Sequence, residues 1–201
     1  MHRTQLRYSI RNVKFSDSRA LVAPPTLPQL SSVFVYGTLL TGMRNHRLVM
    51  DHAEKVIPAR VYGFTLAHFA DGNYPGIFHA PTLATRWRHR VFVEGELFFL
   101  KAGEENIALG AMDELEDFYG SDDPRNEYQR TNVVAYPTSE LNCDTSSGAR
   151  RLVLPGAPAV HAQTYVMVGT VGHLGGVVVA DGDWRKHLRD LSSGVGTDNA
   201  D

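Results

Sequence analysis

The chain has 201 residues, 43% of them hydrophobic, which suits one domain with a core of its own. Its formal net charge of −2 excludes a general polyanion binder, so no nucleic-acid partner is expected. One cysteine excludes an intrachain disulfide framework and a four-cysteine zinc site, and no apolar run approaches the roughly 20 residues of a membrane helix.

Residues 1–30 read as a tail, either disordered or targeting. Arg3, Arg7, Arg11, Lys14 and Arg19 face a single acid, Asp17, and Pro24, Pro25 and Pro28 block regular structure. No apolar segment for secretion accompanies them. A cytoplasmic protein is expected, with organelle targeting by the Arg-rich start as the alternative. A single domain is expected over 31–192, with a flexible end over 193–201.

Val33, Phe34 and Val35 are β-formers that run directly into Tyr36, Gly37, Thr38 and Leu39. A short amphipathic helix is predicted over 44–52. A strand that stops at a glycine and passes into a helix leaves several backbone N–H groups unpaired and converging. Such a turn accepts a carboxylate or phosphate; the same residues also fit a buried strand with an ordinary loop. Residues 55–66 predict a strand with a bulge or bend at Gly63. Residues 71–81 read as turn-rich, with Tyr74, Pro75 and Gly76 either a pocket wall or a plain turn.

Residues 90–100 alternate as a strand does. Phe92 and Phe98 on the second face predict that this face is partly covered too. Glu94 reads as a solvated outward acid. Glu96 fits solvent and a cavity equally well. The strongest helix is predicted over 104–119, with Ile107, Ala111, Leu115 and Phe118 as its apolar stripe. Asp113, Glu114, Glu116 and Asp117 crowd its C-terminal half. Acids there oppose the helix dipole and repel one another, so a carboxyl in that setting should titrate late. A plain solvated acidic face is the alternative for each of the four.

A polar loop over 120–127 precedes a strand over 128–136. Residues 137–159, rich in Ser, Thr, Gly and Pro, read as a surface excursion carrying Cys143. A further strand is predicted over 162–168, then a closing helix over 184–191 with Asp183 as its N-cap. The histidines fit no HExxH pattern, and the glycines at 169, 172, 175 and 176 lack both the Walker lysine and the dinucleotide order. No Gly-x-Ser-x-Gly elbow occurs. The Arg86-to-Arg90 run reads as a solvated strand lead-in. The element order is that of an α+β domain around a mixed, largely antiparallel sheet.

Tyr36-Gly37-Thr38-Leu39 resembles the start of the gamma-glutamylcyclotransferase-like family, in one superfamily with the plant avirulence-induced proteins. Asn73-Tyr74-Pro75-Gly76 is similar to its Tyr-Pro-Gly segment, and Val93-Glu94-Gly95-Glu96-Leu97-Phe98 to its Val-x-Gly-Glu-Leu-Tyr strand. Met112-Asp113-Glu114-Leu115-Glu116 resembles its Leu-Asp-x-Leu-Glu helix end, and Tyr128-Gln129-Arg130 its Tyr-x-Arg strand start. The five segments follow the family's order.

The resemblance implies a small sheet curved into a barrel, with the site in its mouth. It implies a small-molecule γ-glutamyl substrate that cyclises to 5-oxoproline and releases its amine, with no metal and no cofactor. It selects Glu116 as the general acid/base. It gives the backbone of Tyr36, Gly37, Thr38 and Leu39 the substrate carboxylate or carbonyl, and makes Tyr128 and Tyr165 donors or walls. The leaving amine stays open: a free amino acid, glutathione and γ-glutamyl-lysine all fit. A binding or interaction module without activity on the same fold is the alternative.

Overall fold

The structure is a computed structural model and describes residues 31–80, 91–140, 151–154 and 157–194. The predicted tail over 1–30, the Arg86-to-Arg90 run, Cys143 and residues 195–201 lie outside the described residues.

The first strand, β1 (Ser32–Val35), is buried along its whole length. Three successive β-formers with no polar partner between them suit a strand covered on both faces. It pairs antiparallel with β5 (Phe92–Leu100), Val35 opposite Glu96, and parallel with β8 (Val160–Met167). β5 also pairs with β2 (Ala53–Tyr62), and β8 with β6 (Tyr128–Glu140). β2 and β6 then pair with each other from Ala59–Pro137 to Val61–Ala135. The five strands close into a mixed barrel in the order β2–β5–β1–β8–β6. The short β7 (Arg151–Val153) extends β6 beyond that closure. The α+β class and the barrel agree with expectation.

Gly63 provides the predicted bend. Its φ of +83° favours glycine and turns the chain out of the barrel after β2. The next strand, β3 (Phe64–Phe69), belongs to a second sheet, ordered β4–β3–β9, with β4 at Tyr74–His79 and β9 at Val177–Val179. Two expectations need correction here. Residues 74–79 are a strand rather than turns, because β3 supplies the pairing that glycine and proline do not favour by themselves. Residues 137–140 and 151–153 form a strand pair rather than an irregular excursion.

Three helices flank the sheets: α1 (Arg47–Met50), α2 (Glu105–Leu115) and α3 (Trp184–Ser192). In α3 the predicted cap is present: Asp183 Oδ1 accepts the Lys186 N–H at 3.0 Å. In α2 the predicted stripe holds only in part: Phe118 packs against the core and Ala111 is half-buried, but the other two positions face outward. Ile107 is 59% exposed and Leu115 36%, while Ala108 and Met112 are fully buried. The buried row is therefore 108 and 112, and half-buried Glu116 continues it one turn on. Ala and Met offer the barrel a closer approach than β-branched Ile, and the acid that continues the row is carried inward. Among the described residues, no helix is long and apolar enough to cross a membrane.

Candidate active site

At the end of β1 the chain enters a cavity of about 190 Å³ that carries all seven residues singled out from the sequence. Tyr36, Gly37, Thr38 and Leu39 form one wall, Glu116 another, and Tyr128 and Tyr165 the sheet side. The volume is below the roughly 300–1,000 Å³ of pockets for drug-sized ligands, and it suits an amino-acid-sized molecule.

The β1 turn is held from several sides. The Tyr36 side chain is buried, and its hydroxyl donates to the Tyr165 carbonyl at 2.8 Å. Burial, with Tyr128 and Glu116 nearby, pushes that phenol well above its ordinary range. Tyr36 therefore fastens β1 to β8 and stays neutral. The Leu40 N–H donates to the Gly37 carbonyl at 3.1 Å, and the Asn45 N–H to the Thr38 carbonyl at 3.0 Å. The Asn45 side-chain amide donates to Thr38 Oγ1 at 3.1 Å. Among the described residues, the amides of Gly37, Thr38 and Leu39 have no acceptor. They remain as donors in the cavity wall.

The opposite wall is the end of α2. The Phe118 N–H donates to the Asp113 carbonyl at 2.9 Å, and Asp117 takes φ +46°. This is a Schellman-type helix end with an aspartate where glycine is usual. The Glu127 N–H donates to the Asp117 carbonyl at 3.2 Å, so the helix end is tied to the entry of β6. Glu116 sits at the cap and faces inward. Burial raises its carboxyl from an ordinary 4.5 to about 7, helped by the charges of Glu127 and then Asp117. Near neutral pH such a group takes up and gives back a proton readily.

The four crowded acids part company here. Asp113 accepts two bonds from Arg130, at 2.8 and 3.0 Å, and one from the Tyr165 hydroxyl at 2.6 Å. Glu114 and Asp117 are exposed. Only Glu116 among them lines the cavity. Tyr128 and Tyr165 are walls whose hydroxyls are already engaged: Tyr128 donates to the Pro75 carbonyl at 3.1 Å. Burial first, and the neighbouring acids next, keep both phenols well above their usual range.

Seven lining residues were not singled out for binding: Phe34, Val35, Arg44, Asn45, Leu115, Glu127 and Thr164. Their places depend on strand pairing and loop folding, and no local pattern marks them. Glu127 adjoins Tyr128, and Arg44 opens the predicted first helix; those positions were the only sequence signal. Pro75 does form a pocket wall, as one of its two readings had it. The solvated reading of Glu94 is corrected: it is 7% exposed and paired with Arg60. Glu96 is buried but lies outside the cavity lining. Among the described residues, no cluster of three His, Cys, Asp or Glu side chains is placed to hold a metal ion.

The sequence profile described as gamma-glutamyl cyclotransferase, AIG2-like, matches residues 33–186, most of the chain. The chain belongs to the gamma-glutamyl cyclotransferase, AIG2-like family. No curated protein matches it. Among solved structures it is similar to an AIG2-like protein from mouse, at 20% identity and a TM-score of 0.47, covering 73% of this chain and 82% of that one. It is similar to a glutathione-specific gamma-glutamyl cyclotransferase from yeast, at 11% identity and a TM-score of 0.43, covering 85% and 90%. A third is YkqA from Bacillus subtilis, at 21% identity and a TM-score of 0.46, covering 82% of this chain. The match spans only 43% of YkqA. In this cyclotransferase-family chain, the cavity at the β1 turn brings together the profile's first strand and the end of α2.

Proposed function

We propose that this protein cyclises a γ-glutamyl amine or γ-glutamyl amino acid to 5-oxoproline. The observation that carries the reading is one cavity holding two complementary parts. Amides at Gly37, Thr38 and Leu39 with no acceptor among the described residues belong to one wall, and Glu116, with a carboxyl titrating at about 7, belongs to another.

The chemistry needs little beyond these parts. The substrate's α-amine attacks its own γ-carbonyl carbon, a five-membered lactam forms, and the bond to the leaving nitrogen breaks. The α-nitrogen loses two protons, one as the ammonium before attack and one as the lactam N–H forms, and the leaving nitrogen gains two, one as its bond breaks and one as it becomes an ammonium. Glu116 accepts each from the first nitrogen and returns it to the second, so atoms and charge balance. A positioned acid/base of this kind typically contributes 10²–10⁴-fold. The turn amides hold the substrate carboxylate and keep the folded chain in its attacking conformation, since the nucleophile is already tethered.

The test is a panel of γ-glutamyl compounds with different leaving amines, assayed for 5-oxoproline release. Release from at least one is expected, and release that depends on Glu116. Tight binding of γ-glutamyl compounds with no release from any would replace this reading with that of a binding module on the same fold.

A further inference from the structure

Thr41, just past the turn, has its peptide groups gripped from both sides. Its N–H donates to Glu96 Oε2 at 2.7 Å, and its carbonyl accepts from Arg185 Nη2 at 2.6 Å. The same Arg185 nitrogen donates to Glu96 Oε1 at 3.0 Å, which closes a triangle. The three corners come from distant parts of the chain. Glu96 lies on β5 directly opposite Val35, the last residue of β1. Arg185 lies in the first turn of α3, beside Trp184, which is 2% exposed and anchors that helix in the core.

We propose that Glu96 and Arg185 are positioning residues for the anion-binding turn. The proposal rests on the cyclotransferase reading above. A site made of backbone amides has no side chain to readjust, so it is only as well placed as the two ends of its loop. The entry end is fixed by the Tyr36 hydroxyl on Tyr165. The exit end is fixed by the triangle on Thr41. Charge-assisted bonds are the stronger kind, and here they run from buried Glu96 and half-buried Arg185, tying this exit to both the barrel and the C-terminal helix.

An arrangement that only stabilised the fold would affect melting and leave ligand affinity alone. A positioning role shows itself in binding. The substrate carboxylate keeps its charge between the bound state and the transition state, so weakening its site raises KM and leaves kcat nearly constant. The full chain is compared as wild type, Glu96→Gln, Arg185→Gln and Arg185→Lys. Two readouts are needed: steady-state 5-oxoproline release, and calorimetric binding of glutarate, which has the carboxylates but neither the amine nor the scissile bond.

Arg185→Gln is expected to raise KM and the glutarate Kd together by about tenfold, the worth of one charge-assisted bond, with kcat within about threefold of wild type. Arg185→Lys keeps the charge without the fork and should fall between. A lower Tm with unchanged KM and glutarate affinity overturns the proposal. So does a fall in kcat at constant KM. If the wild type binds glutarate but releases no 5-oxoproline, the functional reading fails while the glutarate affinities of the variants still decide the role of the triangle. A wild type that binds no glutarate overturns the anion-binding turn and this proposal with it.

Discussion

Gly37 lies directly against Pro75: a Cβ built on the glycine would stand 2.3 Å from the proline Cγ. Two segments far apart in the chain meet at that point, and the cavity opens beside them. A proline ring cannot swing aside as a flexible side chain would, and the Pro75 carbonyl already receives the Tyr128 hydroxyl. Gly37→Ala is therefore expected to force β4 away from the turn, at roughly 1–3 kcal/mol of overpacking. Thermal unfolding should show a lower Tm by a few degrees per kcal/mol, together with loss of substrate binding. An unchanged Tm would mean that β4 yields without strain.

Glu116→Gln keeps the shape and hydrogen-bonding capacity of the side chain but cannot carry the proton. Turnover is expected to fall by roughly 10²–10⁴-fold, with substrate affinity changed far less. Glu114 is exposed and lies about 200° round the helix from Glu116. Glu114→Gln should leave turnover near wild type. Equal losses in both variants would assign the effect to the general field of the helix end.

The pH dependence follows from the same group. Deprotonated Glu116 is the form that accepts the ammonium proton, so kcat/KM should rise with pH, with a midpoint near 7. Glu127→Gln removes the second cause of that elevation and should move the midpoint downward. Burial, the first cause, remains, so the midpoint should stay above 4.5.

Stability carries the opposite sign. Folding raises the Glu116 pKa, so the folded state holds the proton more tightly than the unfolded chain does. The contribution is most favourable below pH 4.5, declines up to about pH 7, and is level above that. At about 1.4 kcal/mol per pH unit the decline amounts to at most roughly 3 kcal/mol. Glu116→Gln should abolish it, and the variant should gain stability over wild type in urea unfolding at pH 8 relative to pH 5. A difference independent of pH would place this carboxyl near its ordinary value.

Asp117 occupies the left-handed region at φ +46°, which costs an L-residue up to about 1 kcal/mol more than glycine. Asp117→Gly should raise Tm slightly, although it also removes the hydrogen bond from the Tyr119 hydroxyl at 2.8 Å. The loss of a charge beside Glu116 should shift the acid limb of activity a little lower. A lower Tm would show that the Asp117–Tyr119 bond outweighs the backbone strain.

What was legible in the sequence was local. Strand β1 and its turn follow from three β-formers stopped by a glycine. The bend at Gly63 and the Asp183 cap of α3 follow from residue chemistry within a few positions. The family's five segments, and through that resemblance seven of the residues that line the cavity, could likewise be read along the chain. Long-range pairing decided the rest. Residues 74–79 and 177–179 become strands because β3 lies between them, and no residue in either stretch announces that neighbour. Glu94 is buried because Arg60, thirty-four positions earlier, reaches it. The face of α2 was settled by the barrel wall: Ile107 and Leu115 look apolar enough to bury, yet Ala108 and Met112 are the ones that fit. That choice turned Glu116 inward. Hydrophobicity along a helix specifies how much surface is to be covered, whereas the shape of the partner selects which row is covered, and only folding supplies the partner.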